Sequence, residues 1–158
     1  MEDQDFPALV REYLALVERA AQMPPPELLE ACARLLSRIY AVGLCLPEIE
    51  PDEARLPPSV SPPELPSLGK FALYSEVYNP YIEDAPVMAS LAEDLADIYS
   101  DLAGPLRDLD AGRTANAIWC WRFSIRGHCG ARLVAALRAI HHALNDYMLA
   151  DDDLDAEA

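Results

Sequence analysis

The sequence predicts an all-α protein, a bundle of about five helices in which a proline-rich linker separates the second helix from the third. Three observations lead to this fold class. Apolar residues recur at intervals of three and four in each segment that is long enough to form a helix. No segment shows a convincing two-residue alternation of β-branched residues, which is typical of a half-buried strand. Seven prolines are concentrated between positions 47 and 66, and they exclude regular structure there.

The first two elements are predicted to form a helical hairpin over residues 5–22 and 25–46. A run of three prolines ends the first helix, and Pro26 followed by Glu27 suits the first turn of the next one. Because the break is short, we expect the two helices to pack antiparallel. The apolar stripe of the first helix consists of Phe6, Leu9, Val10, Tyr13, Leu14 and Val17.

Residues 47–67 are interpreted as a proline-rich acidic linker. Prolines alternate with acidic residues there, so both helix and sheet lose backbone donors. We expect an extended segment that is stiff and solvated. A proline-rich segment can also be a docking ligand for an aromatic groove, and that alternative stays open.

Residues 68–150 are predicted to form a helical core. A short helix covers 68–78, because Phe71, Tyr74 and Tyr78 keep helical spacing. Although the segment from Ala72 onward is the nearest candidate for a strand, this spacing favours a helix.

Two longer helices follow in this interpretation. The first opens with Asp84 as its N-cap, and Gly104 followed by Pro105 is expected to kink or break it. The second begins at Thr114 and continues to about residue 150. The acidic tail 151–158 is expected to be disordered.

The charge and the termini exclude several classes of function. Twenty-seven acidic residues against 12 basic ones give a net charge of −15, which repels nucleic acid and anionic lipid surfaces. No apolar run approaches the roughly 18 residues that a membrane helix needs. Because the N-terminus is acidic and carries no export signal, we expect a cytoplasmic protein whose four cysteines are reduced.

Two stretches resemble a known bacterial family. They are VYNPYIEDAPVMASLAEDLADIYSDL, starting at Val77, and AIWCWRFSIRGHCGARLVAALRAIH, starting at Ala117. The most specific pieces are V-Y-x-P-Y, S-L-A-x-D-L-A-D-I-Y and W-x-W-R-F-S. Over residues 71–141 the chain is similar to the bacterial domain-of-unknown-function family 5063. The resemblance implies a helical bacterial protein and brings no activity with it.

One predicted helix carries the acidic candidates for a site. Glu93, Asp97 and Asp101 are four residues apart and stack on one side, with Asp94 beside them. Three interpretations stay open: the acids face water, form ion pairs, or hold a divalent cation, which carboxylate oxygens bind. The first is favoured and the second follows it. The metal interpretation comes last, because no second acidic helix stripe is present in the sequence to complete a metal cage.

Arg122 and His128 are the expected cationic partners of these acids. Trp121 defines the inward side of the last helix, and both residues lie near that side, so we expect them to meet Asp94 or Asp97. Structural pairing is favoured over catalysis, since ion-pair networks are commoner than active sites. The candidate polar cluster therefore consists of Glu93, Asp94, Asp97, Arg122 and His128.

Three aromatic residues form a candidate contact surface: Tyr78, Tyr81 and Trp119. Trp119 and Trp121 point to different sides of their helix, so Trp119 is expected to lie against the linker or to be partly exposed. An exposed tryptophan is a modest indication of binding. The favoured interpretation is packing, with the tyrosines forming a corner at the end of the short helix.

The leading functional hypothesis is a non-enzymatic module that binds or regulates a protein partner, without a cofactor. The acidic surface and the linker would provide the contact. We expect no binding to nucleic acid or membranes, and a homodimer stays open. The alternative is a metal-dependent phosphohydrolase of the all-α nucleotide pyrophosphatase type that uses Glu93, Asp94 and Asp97. A weaker third hypothesis is an acidic regulator that mimics nucleic acid.

Overall fold

A computed structural model of the chain describes residues 5–51 and 55–156, and these contain five α-helices and one two-stranded sheet. The prediction of a mainly helical fold with five helices is confirmed, whereas the prediction that no sheet is present is wrong. The helices are α1 Phe6–Glu18, α2 Pro25–Gly43, α3 Leu91–Asp110, α4 Thr114–Arg126 and α5 His128–Ala156. The strands are β1 Leu73–Glu76 and β2 Val87–Ser90, and 3-10 turns cover Ala20–Gln22 and Gly69–Phe71.

All five helices contribute to one core. The pairs α1–α2, α2–α5, α1–α3 and α3–α5 pack against each other, and α4 lies on α3 and α5. Trp121 of α4 is fully buried, and its indole N–H donates to the carbonyl of Leu102 over 3.1 Å. The Phe6 ring meets this indole edge-on, with 5.2 Å between the ring centroids. These contacts join α4, α3 and α1 in the core.

The predicted short helix over 68–78 is wrong, because a 3-10 turn covers Gly69–Phe71 and β1 covers Leu73–Glu76. β1 pairs antiparallel with β2, so that Leu73 lies opposite Ser90 and Glu76 opposite Val87. Strand pairing depends on a partner far along the chain, which a local spacing pattern does not reveal.

Because β2 forms the second half of the hairpin, α3 begins later than predicted, at Leu91. Residues 87–90 were expected to be helical after an N-cap at Asp84, but they form β2. Ser90 is the N-cap instead, and its Oγ accepts a hydrogen bond of 3.3 Å from the backbone N–H of Glu93. The helix then continues through Pro105 to Asp110, so the expected break is absent. Proline removes one backbone bond there, and a buried neighbourhood from Leu102 to Leu106 holds the helix together.

The predicted single helix over 114–150 is two helices. Gly127 separates α4 from α5 with a non-helical backbone, φ −108° and ψ −133°. The chain turns so sharply that a Cβ at Gly130 would overlap the carbonyl oxygen of Ile125, so only glycine fits this close approach. α5 continues as a helix to Ala156, into the tail predicted to be disordered, and residues 157–158 lie outside the described residues.

The proline-rich segment carries neither helix nor strand in its described residues, 47–51 and 55–66. It is not a freely solvated linker, however, because its second half lies on the bundle. A Cβ on Gly104 of α3 would lie 2.5 Å from the carbonyl oxygen of Pro58. Val60 and Leu65 pack on the core, and Leu68 is buried in it. We call residues 57–68 the docked proline segment.

Candidate functional site

Asp94 and Asp97 of the predicted polar cluster share one cation, Arg132 of α5. The Nε of Arg132 lies 3.5 Å from Oδ1 of Asp94, and its Nη1 lies 3.1 Å from Oδ2 of Asp97. The prediction that Arg122 or His128 takes this place is wrong. Since Arg132 lies between the two carboxylates, it supplies the positive charge that offsets their mutual repulsion.

Tyr74 of β1 completes this cluster from the side of the hairpin. Its hydroxyl donates a hydrogen bond to Oδ2 of Asp94. Burial raises the pKa of Asp94 above the ordinary value, while the hydrogen bond from Tyr74 and the charge of Arg132 act in the opposite direction. Burial and the hydrogen bond to Asp94 likewise raise the pKa of the Tyr74 hydroxyl. Asp94 therefore links the hairpin, α3 and α5.

Glu93 stands apart from this cluster. It lies in the first turn of α3 and is exposed, and its backbone N–H serves the Ser90 cap. Within residues 5–51 and 55–156 no group of three or more His, Cys, Asp and Glu side chains is arranged to hold a metal ion. The phosphohydrolase alternative based on Glu93, Asp94 and Asp97 therefore gains no support from the geometry.

Arg122 faces the proline-rich part of the chain rather than the acidic helix. Its Nη2 lies 3.7 Å from Oε2 of Glu48, a glutamate whose side chain is largely exposed. Its Nε is buried and has no hydrogen-bond partner among the described residues. Nearby in sequence, Arg126 donates to the carbonyl of Leu44 over 2.9 Å. These two arginines connect α4 with the chain that follows α2.

His128 is exposed rather than inward-facing. As the first residue of α5, it has a side chain that is 64% exposed, and its Nε2 lies 3.2 Å from Oδ2 of Asp101. The break at Gly127 resets the helical phase, so the stripe that begins at Trp121 does not continue to His128. The adjacent Cys129 is fully buried, and burial raises the pKa of its thiol to about 12. Burial and protonation both disfavour a nucleophilic role for this thiol.

The largest exposed apolar side chains of the hairpin lie around its loop. Tyr81 is 95% exposed and Tyr78 is 77% exposed, and Ile82 and Met88 are also largely in solvent. We call residues 77–88 the hairpin tip. Trp119, the third predicted aromatic, is partly exposed on α4, where it stacks on Phe123 with 5.3 Å between ring centroids. Among the ring contacts of the described residues, neither Tyr78 nor Tyr81 takes part in one.

Sequence reasoning missed Arg132 and Tyr74 as members of the polar cluster. It also missed an open groove between β1 and the second half of α5, to which Arg138, His142 and Asn145 contribute. One signal was present in the sequence. These three residues are spaced by four and three, so they share one side of a helix.

The fold and the polar cluster define a helical bundle with a β-hairpin, in which Arg132 pairs with Asp94 and Asp97. The model of a family described as Domain of unknown function (DUF5063) matches residues 1–146, and the chain belongs to this family. The chain is also similar to the crystal structure of protein BF1032 from Bacteroides fragilis, with a TM-score of 0.74 and 21% identity. That match covers 89% of this chain and 92% of the other, and at this identity it shows a shared fold alone.

No curated protein matches this sequence. In the described part of the chain, none of the helices combines the length and the apolar character needed to cross a membrane.

Proposed function

We propose that this chain is a non-enzymatic, partner-binding module of the bacterial cytoplasm that contacts another protein through its hairpin tip. The observation that carries the proposal is the exposure of large apolar side chains at residues 77–88, Tyr78, Tyr81, Ile82 and Met88 above all. Clusters of exposed apolar residues on a folded protein mark interaction sites. Tyrosine is also enriched among the residues that dominate binding energy at interfaces.

The base of the hairpin is held firmly, which favours a preformed contact surface. The backbone N–H of Leu91 donates to the carbonyl of Ala72 over 3.0 Å. The Phe71 ring contacts Tyr147 of α5, with 5.0 Å between the ring centroids, and Tyr74 is bonded to Asp94. A rigid base lowers the entropy lost on binding.

Charge around the hairpin tip indicates the chemistry of the partner. Glu76, Glu83 and Asp84 flank the apolar residues, and the chain as a whole has a net charge of −15. A surface complementary to this one has an apolar centre with lysine or arginine at its rim. The same charge opposes pairing of two copies through their hairpin tips, so a different protein is the proposed partner.

Quantitative co-purification from the native host tests the proposal. The test variant carries Tyr81→Ser and Ile82→Ser, and the matched control carries Trp119→Ser and Phe123→Ser on α4. Both variants remove two exposed apolar side chains. We expect a stoichiometric partner with the wild type and the control, and its loss with the test variant. Equal recovery with all three proteins, or loss with the control alone, contradicts a contact through the hairpin tip.

A further inference from the structure

An open groove separates β1 from the second half of α5. Its volume is about 650 Å³, and its walls include Phe71 and Tyr74 on the hairpin side and Ala139 and Ala143 on the helix side. Sites for small molecules usually enclose about 300–1,000 Å³ and combine apolar walls with a few polar groups. The two alanines leave space above α5 that larger side chains would fill. The groove thus has the size and lining of a small-ligand site.

Four polar residues line this β1–α5 groove, and their side chains have no hydrogen-bond or ion-pair partner among the described residues: Ser75, Arg138, His142 and Asn145. His142 contacts only the ring of His141, at 5.7 Å between centroids. The three groups on α5 follow one helical stripe, so they converge on the same space.

The residues that line the groove include two cations, Lys70 and Arg138, and one acid, Asp146. Besides burial, which acts most strongly, Glu76 on β1 lies close enough to Tyr74 to raise the pKa of its hydroxyl. Lys70 lies 2.5 Å from Asp146, so these two charges offset each other. Asp94, which accepts a hydrogen bond from Tyr74, forms an ion pair with Arg132. Arg138 therefore brings to the groove a positive charge that has no ion-pair partner among the described residues, in a protein with net charge −15. A guanidinium binds planar carboxylate and phosphate groups through paired hydrogen bonds.

We infer that the β1–α5 groove binds a small organic anion, whose carboxylate or phosphate meets Arg138 and His142 and whose apolar body lies along Phe71 and the two alanines. Asn145 supplies a further hydrogen bond to the anion. Phe71 offers a ring face that already has the Lys70 ammonium at 5.0 Å from its centroid. This site is separate from the hairpin tip, so either proposal can fail without the other.

Titrations followed by amide NMR test the inference with defined probes. Benzoate and phenyl phosphate carry an anion on an apolar body, inorganic phosphate lacks the body, and benzylamine lacks the anion. We expect benzoate or phenyl phosphate to bind with a dissociation constant on the order of 1 mM or tighter. The shifted signals should belong to residues 73–75 and 138–145. Whichever of the two binds more tightly identifies the anion. Inorganic phosphate and benzylamine should bind at least about tenfold more weakly.

Substitutions on exposed arginines provide the control. Arg138→Gln should weaken binding of the tighter probe at least about tenfold. Arg34→Gln, which removes the same charge from the exposed face of α2, should leave it unchanged. Both side chains are exposed, so neither change threatens the fold. Equal binding of all four probes, shifts that map elsewhere, or no effect of Arg138→Gln would overturn the inference.

Discussion

The guanidinium of Arg132 lies 3.1 Å from the carboxylate of Asp97, and this contact joins α5 to the acidic side of α3. The same guanidinium reaches Asp94, which in turn accepts a hydrogen bond from Tyr74 in the hairpin. One cation therefore supports two carboxylates and, through Asp94, the base of the hairpin. Asp94 and Asp97 of α3 thus both contact α5, and Asp94 also contacts the hairpin through Tyr74.

Arg132→Met should lower the free energy of unfolding by about 1–2 kcal/mol, because it leaves the poorly exposed Asp94 without its cation. Arg122→Met is the matched control and should change the free energy of unfolding by at most about 0.5 kcal/mol. The partner of Arg122 in the wild type, Glu48, is exposed and lies 3.7 Å away, so their ion pair contributes little. Combining Arg132→Met with Asp94→Asn should recover part of the loss. Urea unfolding of the four proteins measures these values. A larger effect at Arg122 would contradict the assignment.

The raised pKa of Asp94 predicts a pH-dependent effect of Asp94→Asn. Burial favours the protonated carboxyl in the folded protein. The stability that this group contributes is therefore complete below its ordinary value of 3.8 and declines as the pH rises through the folded-state pKa. Asparagine resembles the protonated form at every pH. The melting temperature of Asp94→Asn minus that of the wild type should therefore increase from acidic to neutral pH. A difference that stays constant or decreases would contradict the raised pKa of Asp94.

Gly104→Ala tests whether the docked proline segment lies on α3. In a solvated helix this change would stabilise the protein by about 1 kcal/mol. Here the new Cβ would meet the carbonyl oxygen of Pro58 at 2.5 Å, so the segment or the helix must shift. We expect a net loss of about 1–3 kcal/mol in the free energy of unfolding. A more stable variant in thermal and urea unfolding would mean that the segment is detached from α3.

Thiol labelling should distinguish the four cysteines. Cys45 is exposed, whereas Cys32, Cys120 and Cys129 are buried. Burial raises the pKa of Cys32 and of Cys129 to about 12, so the reactive thiolate form of both is disfavoured at pH 8. A chromogenic disulfide reagent should therefore label one thiol rapidly in the folded protein and all four in denaturant. Cys45→Ser should abolish the rapid phase, and rapid labelling of a second thiol would show that the core opens.

Much of the helical core follows from local pattern alone. The apolar stripe of α1 predicts its buried face, and Phe6, Leu9, Val10 and Tyr13 are all buried. Trp121 is buried, as its position on the single helix predicted from Thr114 indicated. The sequence predicts these features because the buried positions of a helix recur every three or four residues.

Local sequence pattern does not predict the hairpin or the membership of the polar cluster. β1 and β2 form because they pair with each other across a loop of ten residues between Glu76 and Val87. The sequence carries no tight-turn signal there. The break at Gly127 changes the direction of the helix that follows it, so Arg132 meets Asp94 and Asp97, whereas His128 lies beside Asp101 further along α3. Tertiary contacts decide both features.

Hydrogen–deuterium exchange of the complex recovered from the native host tests the central claim most directly. A contact through the hairpin tip predicts slower exchange at residues 77–88 in the complex than in the free protein, with α4 residues 119–123 unchanged. The proline-rich segment is the second region that the sequence proposed for contact, and it should also remain unchanged. Protection confined to α4 or to the proline-rich segment, with residues 77–88 exchanging as in the free protein, would contradict the proposal.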